Sequence, residues 1–257
     1  MNHPLLKCWK KQKLIDPPYL FDGDREILKS KLCIEILSHK KLIQHKEYPP
    51  KDSRFHVGLI PVPFVGNLKT ADIYIALINP GLTVCDYYVE ETEPEYQQFL
   101  RRNLKQDLGS ERYPFFKLDP KWDWTSAGVW WHRTLGSVIR EVAKKRNENY
   151  QEATEFVAKR IAALEFAPYH SVNGGFVKSG SNSLESSKLM LSFVHKEIIP
   201  RADRGEALLI IARGMGKWQI KQSNNVIVYK TKHARSASLS MKSRGGKAIF
   251  KRLIQFD

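Results

Sequence analysis

The chain has 257 residues, which is enough for one large domain or two small ones with a substantial hydrophobic core. Its content of 42% hydrophobic and 11% aromatic residues excludes a disordered chain, although the net charge is high. Lys and Arg number 42 against 27 Asp and Glu, a surplus of 15, which predicts a polyanionic partner: nucleic acid first, an anionic membrane surface second.

The first 55 residues are predicted to form a basic helical N-terminal extension, because Glu26–His39 carries apolar residues at roughly helical spacing. Residues 56–257 are predicted to form one compact α/β domain. Its first strand, Asp72–Ile78, ends at a sharp turn, Asn79-Pro80-Gly81. A polar surface helix is predicted next, over Pro94–Leu108, and then a helix over Val129–Lys145 whose apolar residues are spaced to bury one side.

The second half alternates helices with short apolar strands. Asn182 with Glu185 resembles a capping box, which opens a helix that Pro200 ends after Ile199. The other predicted elements are a helix over Asn149–Arg160, strands over Ile161–Phe166, Ala207–Ala212 and Val226–Tyr229, and a closing helix over Gly246–Ile254. Because the strands are apolar throughout and alternate with helices, we expect an α/β fold with a central parallel four-stranded sheet flanked by helices.

Several kinds of protein and site are excluded. The apolar runs are no longer than a strand, so no segment is expected to span a membrane, and Met1–Lys13 lacks the apolar core of a secretory signal. Three cysteines without CxxC spacing exclude a four-cysteine metal site and fit a reducing compartment. Gly214-Met215-Gly216-Lys217 lacks the rest of a phosphate-binding P-loop and is predicted as a tight turn feeding a short helix. We therefore expect a cytoplasmic protein without a metal or a cofactor.

In parallel sheets, functional groups gather at the carboxyl ends of the strands. The segments after the predicted strands are polar or carry glycine: residues 79–81, 165–171, 213–217 and 230–240. In the last of these, His233 lies among cations and serines, which suit the phosphates of DNA. The predicted DNA-binding residues are Lys230, Lys232, Arg235, Ser236, Ser238, Lys242 and Arg244. The alternative is a charged surface loop in which His233 is incidental.

Taken together and in this order, these motifs resemble the uracil-DNA glycosylase superfamily over roughly Phe55 to the C-terminus. Leu77–Leu82 (LINPGL) is similar to the first motif of the family in its Asn-Pro-Gly form, which is typical of the mismatch-specific branch. His233–Ser240 (HARSASLS) resembles the histidine motif, with alanines where prolines are usual. Gly128–Leu135 and Gly246–Leu253 resemble the aromatic-rich helix and the closing helix. The resemblance implies a three-layer α/β/α sandwich.

By that resemblance, Asn79 positions the attacking water and His233 stabilises the carbonyl oxygen of the leaving base as negative charge develops. The implied enzyme is a monofunctional DNA glycosylase that flips a base out of the duplex, hydrolyses the N-glycosidic bond and leaves an abasic site. A flipped base needs an aromatic partner, for which we select Tyr87 and Phe116 from a set that also includes Tyr88 and Phe115. The expected state is a monomer on double-stranded DNA, with no membrane partner.

Glu165 stands where the family reads uracil with asparagine. An ionised carboxylate only accepts hydrogen bonds, so it repels O4 of uracil and favours an exocyclic amine such as N4 of cytosine. The sequence therefore predicts a modified cytosine as the excised base, and some glycosylases of this superfamily remove such bases from phage DNA in antiviral defence. The alternative for Glu165 is a structural ion pair with a nearby Arg or Lys.

Other functions remain open at the level of the sequence. A glycosylase of this type can act on uracil or on mismatches in repair, and a basic nucleic-acid-binding module without catalysis needs only the cationic loop. A metal-dependent nuclease needs clustered carboxylates, and Asp86, Asp119 and Asp123 show no recognisable arrangement. Alkali-dependent strand breaks without metal distinguish base excision from direct cutting.

Overall fold

The computed structural model describes residues 3–28, 32–46, 48–49, 51, 53–174, 184–230 and 238–255. The chain folds into two compact units, each assembled from three stretches of sequence. The first unit comprises Met1–Phe64, Ile78–Asp107 and Glu165–Val194; the second comprises Val65–Leu77, Leu108–Leu164 and His195–Asp257. The structure thus divides the chain differently from the predicted boundary at residue 55, because the N-terminal segment packs within a unit that also contains two later stretches.

The elements are as follows. The strands are β1 (Cys33–Ile34), β2 (Phe55–His56), β3 (Phe64–Val65), β4 (Ile73–Leu77), β5 (Ile161–Glu165), β6 (Leu208–Ile211) and β7 (Val226–Val228). The α-helices are α1 (Pro4–Lys11), α2 (Arg25–Leu28), α3 (His39–Ile43), α4 (Val84–Thr92), α5 (Pro94–Lys105), α6 (Ser126–Arg146), α7 (Tyr150–Arg160), α8 (Glu185–Phe193), α9 (Ile199–Asp203), α10 (Met215–Trp218) and α11 (Arg244–Ile254). Turns of 3₁₀-helix lie at Asp22–Asp24, Phe116–Leu118 and Pro120–Trp122, and a π-helical turn at Val194–Ile198.

A five-stranded sheet has the order β3-β5-β4-β6-β7 and confirms the α/β class. Every residue of β4 and β5 is buried, which explains why these strands are apolar throughout rather than alternating. Strands β4 and β6, and β6 and β7, pair in parallel, with Ile73 opposite Leu208 and Leu209 opposite Val226. The four predicted strands are present, but the predicted number is too low, because the two-residue strand β3 adds a fifth at the edge beside β5. A separate parallel pair joins β1 to β2.

Three helices of the second unit, α6, α7 and α11, begin at side chains that cap free backbone N–H groups. Thr125 accepts from Gly128 N–H at the start of α6, and Asn149 forms a reciprocal capping box with Glu152 at the start of α7. Gly128 is required there, because a Cβ atom would lie 2.2 Å from the carbonyl oxygen of Trp122. Gly214 has a φ of 71° and precedes the four-residue α10, so the predicted turn and short helix are confirmed.

Two predicted helices differ from the structure. Among the described residues of Glu26–His39, α2 includes the first three and α3 begins at the last, but Cys33–Ile34 between them pairs with β2, so the predicted long helix is wrong. Pro200 does not end a helix: it lies in the first turn of α9, directly after the π-helical turn, where its missing N–H is tolerated. The predicted cap at Asn182 lies outside the described residues. Among the described residues, no helix combines the length and the apolar content needed to cross a membrane.

Candidate functional site

The side-chain amide of Asn79 has an orientation that its neighbours determine. Asn79 follows β4, and its Nδ2 atom donates to Ser171 Oγ at 2.9 Å and to the carbonyl oxygens of Tyr169 and Ser171 at 3.4 Å each. Ser171 Oγ uses its own proton to donate to the carbonyl oxygen of Asn173 at 3.0 Å, so it must accept from Asn79. All three neighbours are therefore acceptors, and only the NH₂ end of the amide fits them. Asn79 Oδ1, at the other end of the amide, consequently points away from these three acceptor atoms and can itself accept a hydrogen bond.

The segments after β4 and β5 run side by side in the first unit. Ala167 N–H donates to the carbonyl oxygen of Ile78 at 2.9 Å, and the ring of His170 donates from Nδ1 to the carbonyl oxygen of Gly81 at 2.8 Å. His170 is buried, and its ring bonds the last residue of the Asn79-Pro80-Gly81 turn, whereas Ser171 bonds the first. The turn is held at both ends by residues 167–171.

The segment 167–171 is itself anchored to the N-terminal stretch of the first unit. Tyr169 Oη donates to Asp24 Oδ2 at 2.8 Å and accepts from Phe21 N–H at 3.1 Å. His56 N–H donates to the carbonyl oxygen of His170 at 2.8 Å. Asn79, Tyr169 and Asp24 thus form one continuous chain of contacts, in which residues before position 55 support the backbone that orients the Asn79 amide.

Burial changes the ionisation of this network. Asp24 is fully buried, and burial raises the pKa of its carboxyl group even though Ser186 and Tyr169 donate to it. Burial also raises the pKa of Tyr169 well above its usual value, and the adjacent Asp24 carboxylate adds to that effect. The phenol of Tyr169 is therefore a donor throughout the physiological pH range.

Glu165 is the last residue of β5, the strand next to β4 in the sheet. It is 6% exposed, and its backbone N–H donates to the carbonyl oxygen of Pro63 at 2.8 Å. Ala167, two residues later, is the residue that bonds Ile78 beside Asn79. Glu165 therefore ends β5, and Asn79 lies two residues beyond the end of β4, the neighbouring strand. A carboxyl group buried at a strand end is a candidate for recognition of a polar ligand.

The two aromatic residues selected for base stacking lie in packed interiors. Tyr87 is 2% exposed and belongs to an apolar cluster with Ile36, Leu42, Leu59 and Leu82. Its Oη donates to the carbonyl oxygen of Ile36 at 2.9 Å and accepts from His56 Nδ1 at 3.0 Å. Phe116 lies in the second unit with no exposed surface, and the Lys117 ammonium group lies 4.6 Å from its ring centroid. Neither ring offers a face for a base in this arrangement, whereas Tyr88 on α4 is 45% exposed.

Four of the predicted DNA-binding residues are described, and all belong to the second unit. Lys230, Ser238, Lys242 and Arg244 have exposed side chains. Ser238 Oγ donates to Ser240 Oγ at 2.9 Å, and Arg244 also donates to the carbonyl oxygen of Val228 at 3.0 Å. Lys232, His233, Arg235 and Ser236 lie outside the described residues. Asn79, Glu165 and Tyr87 belong to the first unit.

Comparison with known proteins gives no relative. No family model, no curated protein and no solved structure matches this chain. Within the described ranges, no group of three or more His, Cys, Asp and Glu side chains is arranged to hold a metal ion.

Sequence reasoning missed three residues that orient Asn79. Tyr169, His170 and Ser171 fall in one of the polar segments that the sequence places after a strand, yet none was selected individually. Their signal in the sequence was a run of three polar residues shortly after a strand that is apolar up to Glu165. Asp24 gave no signal, since its partners Tyr169 and Ser186 lie 145 and 162 residues away in the sequence.

Proposed function

We propose that the protein is a DNA glycosylase that excises a base by hydrolysis of the N-glycosidic bond and leaves an abasic site. The observation that carries the proposal is the forced orientation of the Asn79 amide, whose Nδ2 is committed to Ser171 and Tyr169 while Oδ1 is left as an acceptor. A carbonyl oxygen held in this way suits the positioning of a water molecule. The proposed scaffold is the three-layer sandwich of the uracil-DNA glycosylase superfamily, with β3 added to its four-stranded parallel sheet.

The proposed reaction needs only a weak, well-placed nucleophile. Asn79 Oδ1 accepts a hydrogen bond from a water molecule beside C1′ of the flipped nucleotide. The C1′–N bond breaks with its electron pair passing to the base, the water oxygen bonds to C1′, and the proton released from water ends on the base. His233 donates to the base oxygen on which negative charge develops, which lowers the barrier by electrostatic stabilisation.

The proposed substrate is a modified cytosine in double-stranded DNA. The support is chemical: the buried carboxyl group of Glu165 ends the strand beside Asn79 and, when ionised, accepts from an exocyclic amine but repels a carbonyl oxygen. Excision of such a base fits a defence role against phage DNA. We further propose that Lys230, Lys232, Arg235, Ser236, Ser238, Lys242 and Arg244 contact phosphates, and that the enzyme works as a cytoplasmic monomer without a metal.

The test is base release from synthetic duplexes that carry uracil, cytosine or glycosylated hydroxymethylcytosine, incubated in EDTA and analysed for the free base by mass spectrometry. We expect release of the modified cytosine, and a loss of about 100-fold or more in Asn79→Ala and in His233→Ala with DNA binding retained. Asn67→Ala is the control, because Asn67 caps a surface turn of the second unit. Glu165→Gln, which adds a donor, should shift release toward uracil.

Each other outcome overturns a stated part of the proposal. Full activity in both Asn79→Ala and His233→Ala contradicts the mechanism. Strand cutting that EDTA abolishes and that needs no alkali indicates a nuclease, whereas binding of every duplex without any product indicates a binding module. Release of modified cytosine that Glu165→Gln leaves unchanged removes the substrate assignment while the glycosylase activity stands.

A further inference from the structure

A basic groove lies in the first unit, and none of the candidate site residues described above lines it. It is lined by residues 9–15, at the end of α1 and just after it, and by Arg101, Leu104 and Lys105 of α5, and its volume is about 570 Å³. This volume lies within the usual range of ligand-binding sites, and it is large enough for a ligand the size of a nucleotide. Its lining contains five cations and no carboxylate.

Four of these cations are available to a ligand. Lys10, Lys11, Lys13 and Lys105 all have exposed side chains. Within the described part of the chain, none of the four forms an ion pair, whereas other exposed lysines, such as Lys144 with Glu141 and Lys188 with Glu185, do form one. Four unpaired ammonium groups around one groove repel each other, so an anion bound between them is strongly favoured.

The fifth cation has a different role. The guanidinium group of Arg101 donates to the carbonyl oxygen of Leu14 and, at 3.3 Å, to that of Ile15, so it holds one wall of the groove to α5. The guanidinium group is therefore not available for the bidentate hydrogen bonds that arginine commonly makes to a carboxylate. The remaining lysines act as point charges on flexible stems, which suits phosphate oxygens spread along a backbone better than a single carboxylate.

The floor of the groove is apolar. Leu14 and Leu104 are buried, and Ile15 at the rim is 71% exposed, which is high for a large aliphatic side chain. A ligand that carries phosphates and an apolar or aromatic face matches this groove. Its phosphates would contact the lysines, and its apolar face would cover the leucines.

We infer that this groove binds the phosphodiester backbone of a nucleic-acid strand, with Lys10, Lys11, Lys13 and Lys105 on the phosphates. The inference needs no glycosylase chemistry. A purely binding protein with this groove would use it in the same way.

The test uses the full chain and a labelled single strand and duplex that carry only ordinary bases, with binding followed by fluorescence anisotropy at several salt concentrations. Lys13→Gln combined with Lys105→Gln removes one cation from each side of the groove. We expect affinity to fall about tenfold at physiological salt and the slope of log K against log salt to decrease in magnitude by about 1.5. The control combines Lys69→Gln with Lys145→Gln, two exposed lysines of the second unit that lose the same charge.

Three outcomes overturn the inference. An equal loss in the control pair means that the overall charge, and not the groove, binds DNA. Competition by a free mononucleotide as effective as that of the strand means a small-ligand site. Loss of binding to anionic phospholipid vesicles with binding to both DNA probes unchanged means a membrane site. Base release from modified duplexes is measured separately, so failure of the groove and failure of the proposed reaction are distinguishable.

Discussion

At the scale of single residues, Asp24 is a fully buried carboxyl group that accepts several hydrogen bonds within the first unit. It accepts from Ser186 N–H at 3.1 Å, from the Ser186 hydroxyl group and from Tyr169 Oη, with no exposed surface. Since Tyr169 also supplies a carbonyl oxygen to Asn79, the carboxyl group of Asp24 supports the orientation of the Asn79 amide from a distance. Asp24 is a positioning residue.

The raised pKa of Asp24 predicts how its contribution to stability depends on pH. Burial makes the folded protein bind this proton more tightly than the unfolded chain, so the free energy of unfolding falls as pH rises from the unfolded pKa through the folded one. We expect the stability of the wild type relative to Asp24→Asn to decrease between about pH 4 and neutral pH. Urea unfolding of both proteins across this range measures the difference.

Asp22→Asn is the matched control for that measurement. Asp22 lies two residues away, is largely exposed and pairs with Arg25 at the surface, so its substitution should give a difference that changes little over the same range. A difference for Asp24→Asn that is constant, or that grows as pH rises, contradicts the burial argument.

The sequence alone indicated part of this chemistry. Asn79 could be selected because it lies in a turn just after a buried strand, and Glu165 because it is a polar residue at the end of a predicted strand, where the family that the chain resembles has an asparagine. Tyr87 and Phe116 could not be separated from other aromatics, because an aromatic residue in a helical pattern has the same appearance whether it packs inside or faces solvent. Asp24 depends on contacts with residues far along the chain, which no local pattern encodes.

At the scale of elements, an ion-pair cluster joins three parts of the second unit. Asp72, just before β4, accepts from Arg160 Nε of α7 at 2.7 Å and from Arg252 Nε of α11 at 2.9 Å. The side chains of all three are less than a fifth exposed. The start of β4, the end of α7 and the end of α11 are thereby tied through a single carboxylate.

Removing that carboxylate leaves two guanidinium groups without their charge partner in a largely buried place. We expect Asp72→Ala to lower the free energy of unfolding by about 3 kcal/mol, because breaking a buried pair costs far more than breaking a surface pair. Glu141→Ala is the control, since Glu141 pairs with Lys144 on an exposed face of α6 and its loss should change stability by less than about 0.5 kcal/mol. Chemical denaturation measures both; equal effects would mean that the cluster is effectively solvated.

Elements were predicted best where the pattern is local. The strands at β4, β5, β6 and β7 and the helices α5, α6 and α7 follow from apolar runs, helical spacing and caps within the segment itself. The failure over Glu26–His39 has a tertiary cause: Cys33–Ile34 pairs with a strand more than twenty residues later, and Ile36 packs in the cluster with Tyr87. The apolar spacing of this segment fits either a helix or a short strand with a loop. Only the contacts with β2 and with the Tyr87 cluster, which lie far along the chain, decide between the two.

At the scale of the whole molecule, the N-terminal segment is part of the core of the first unit. Leu5, Trp9 and Leu28 are buried there with Asp24, and the groove residues of α1 lie against α5. The charge surplus in this segment therefore belongs to a packed surface. It is not carried by a separate tail.

Deletion of residues 1–55 is therefore expected to unfold the first unit as well as weaken DNA binding. Removing this much core apolar surface costs more than the typical stability of a domain, 5–15 kcal/mol. We expect the truncated protein to lose the cooperative thermal transition of this unit and its protection from proteolysis. Full-length protein with Lys10, Lys11 and Lys13 changed to Gln is the control, which should keep the transition. A truncated protein that melts like the full chain would show that the segment is dispensable for folding.

The alternation of the chain between the two units also constrains the order in which the protein can be made. A ribosome delivers Met1–Phe64 first, but this stretch must wait for Ile78–Asp107 and then for Glu165–Val194 before its unit is complete. The second unit, in turn, needs His195–Asp257. Synthesis proceeds at roughly 5–20 residues per second, so apolar surface of the nascent N-terminal stretch stays uncovered for roughly 6 to 26 seconds. Chaperones that bind nascent chains should therefore associate with this protein once Met1–Phe64 has emerged and dissociate only after Glu165–Val194 has been made.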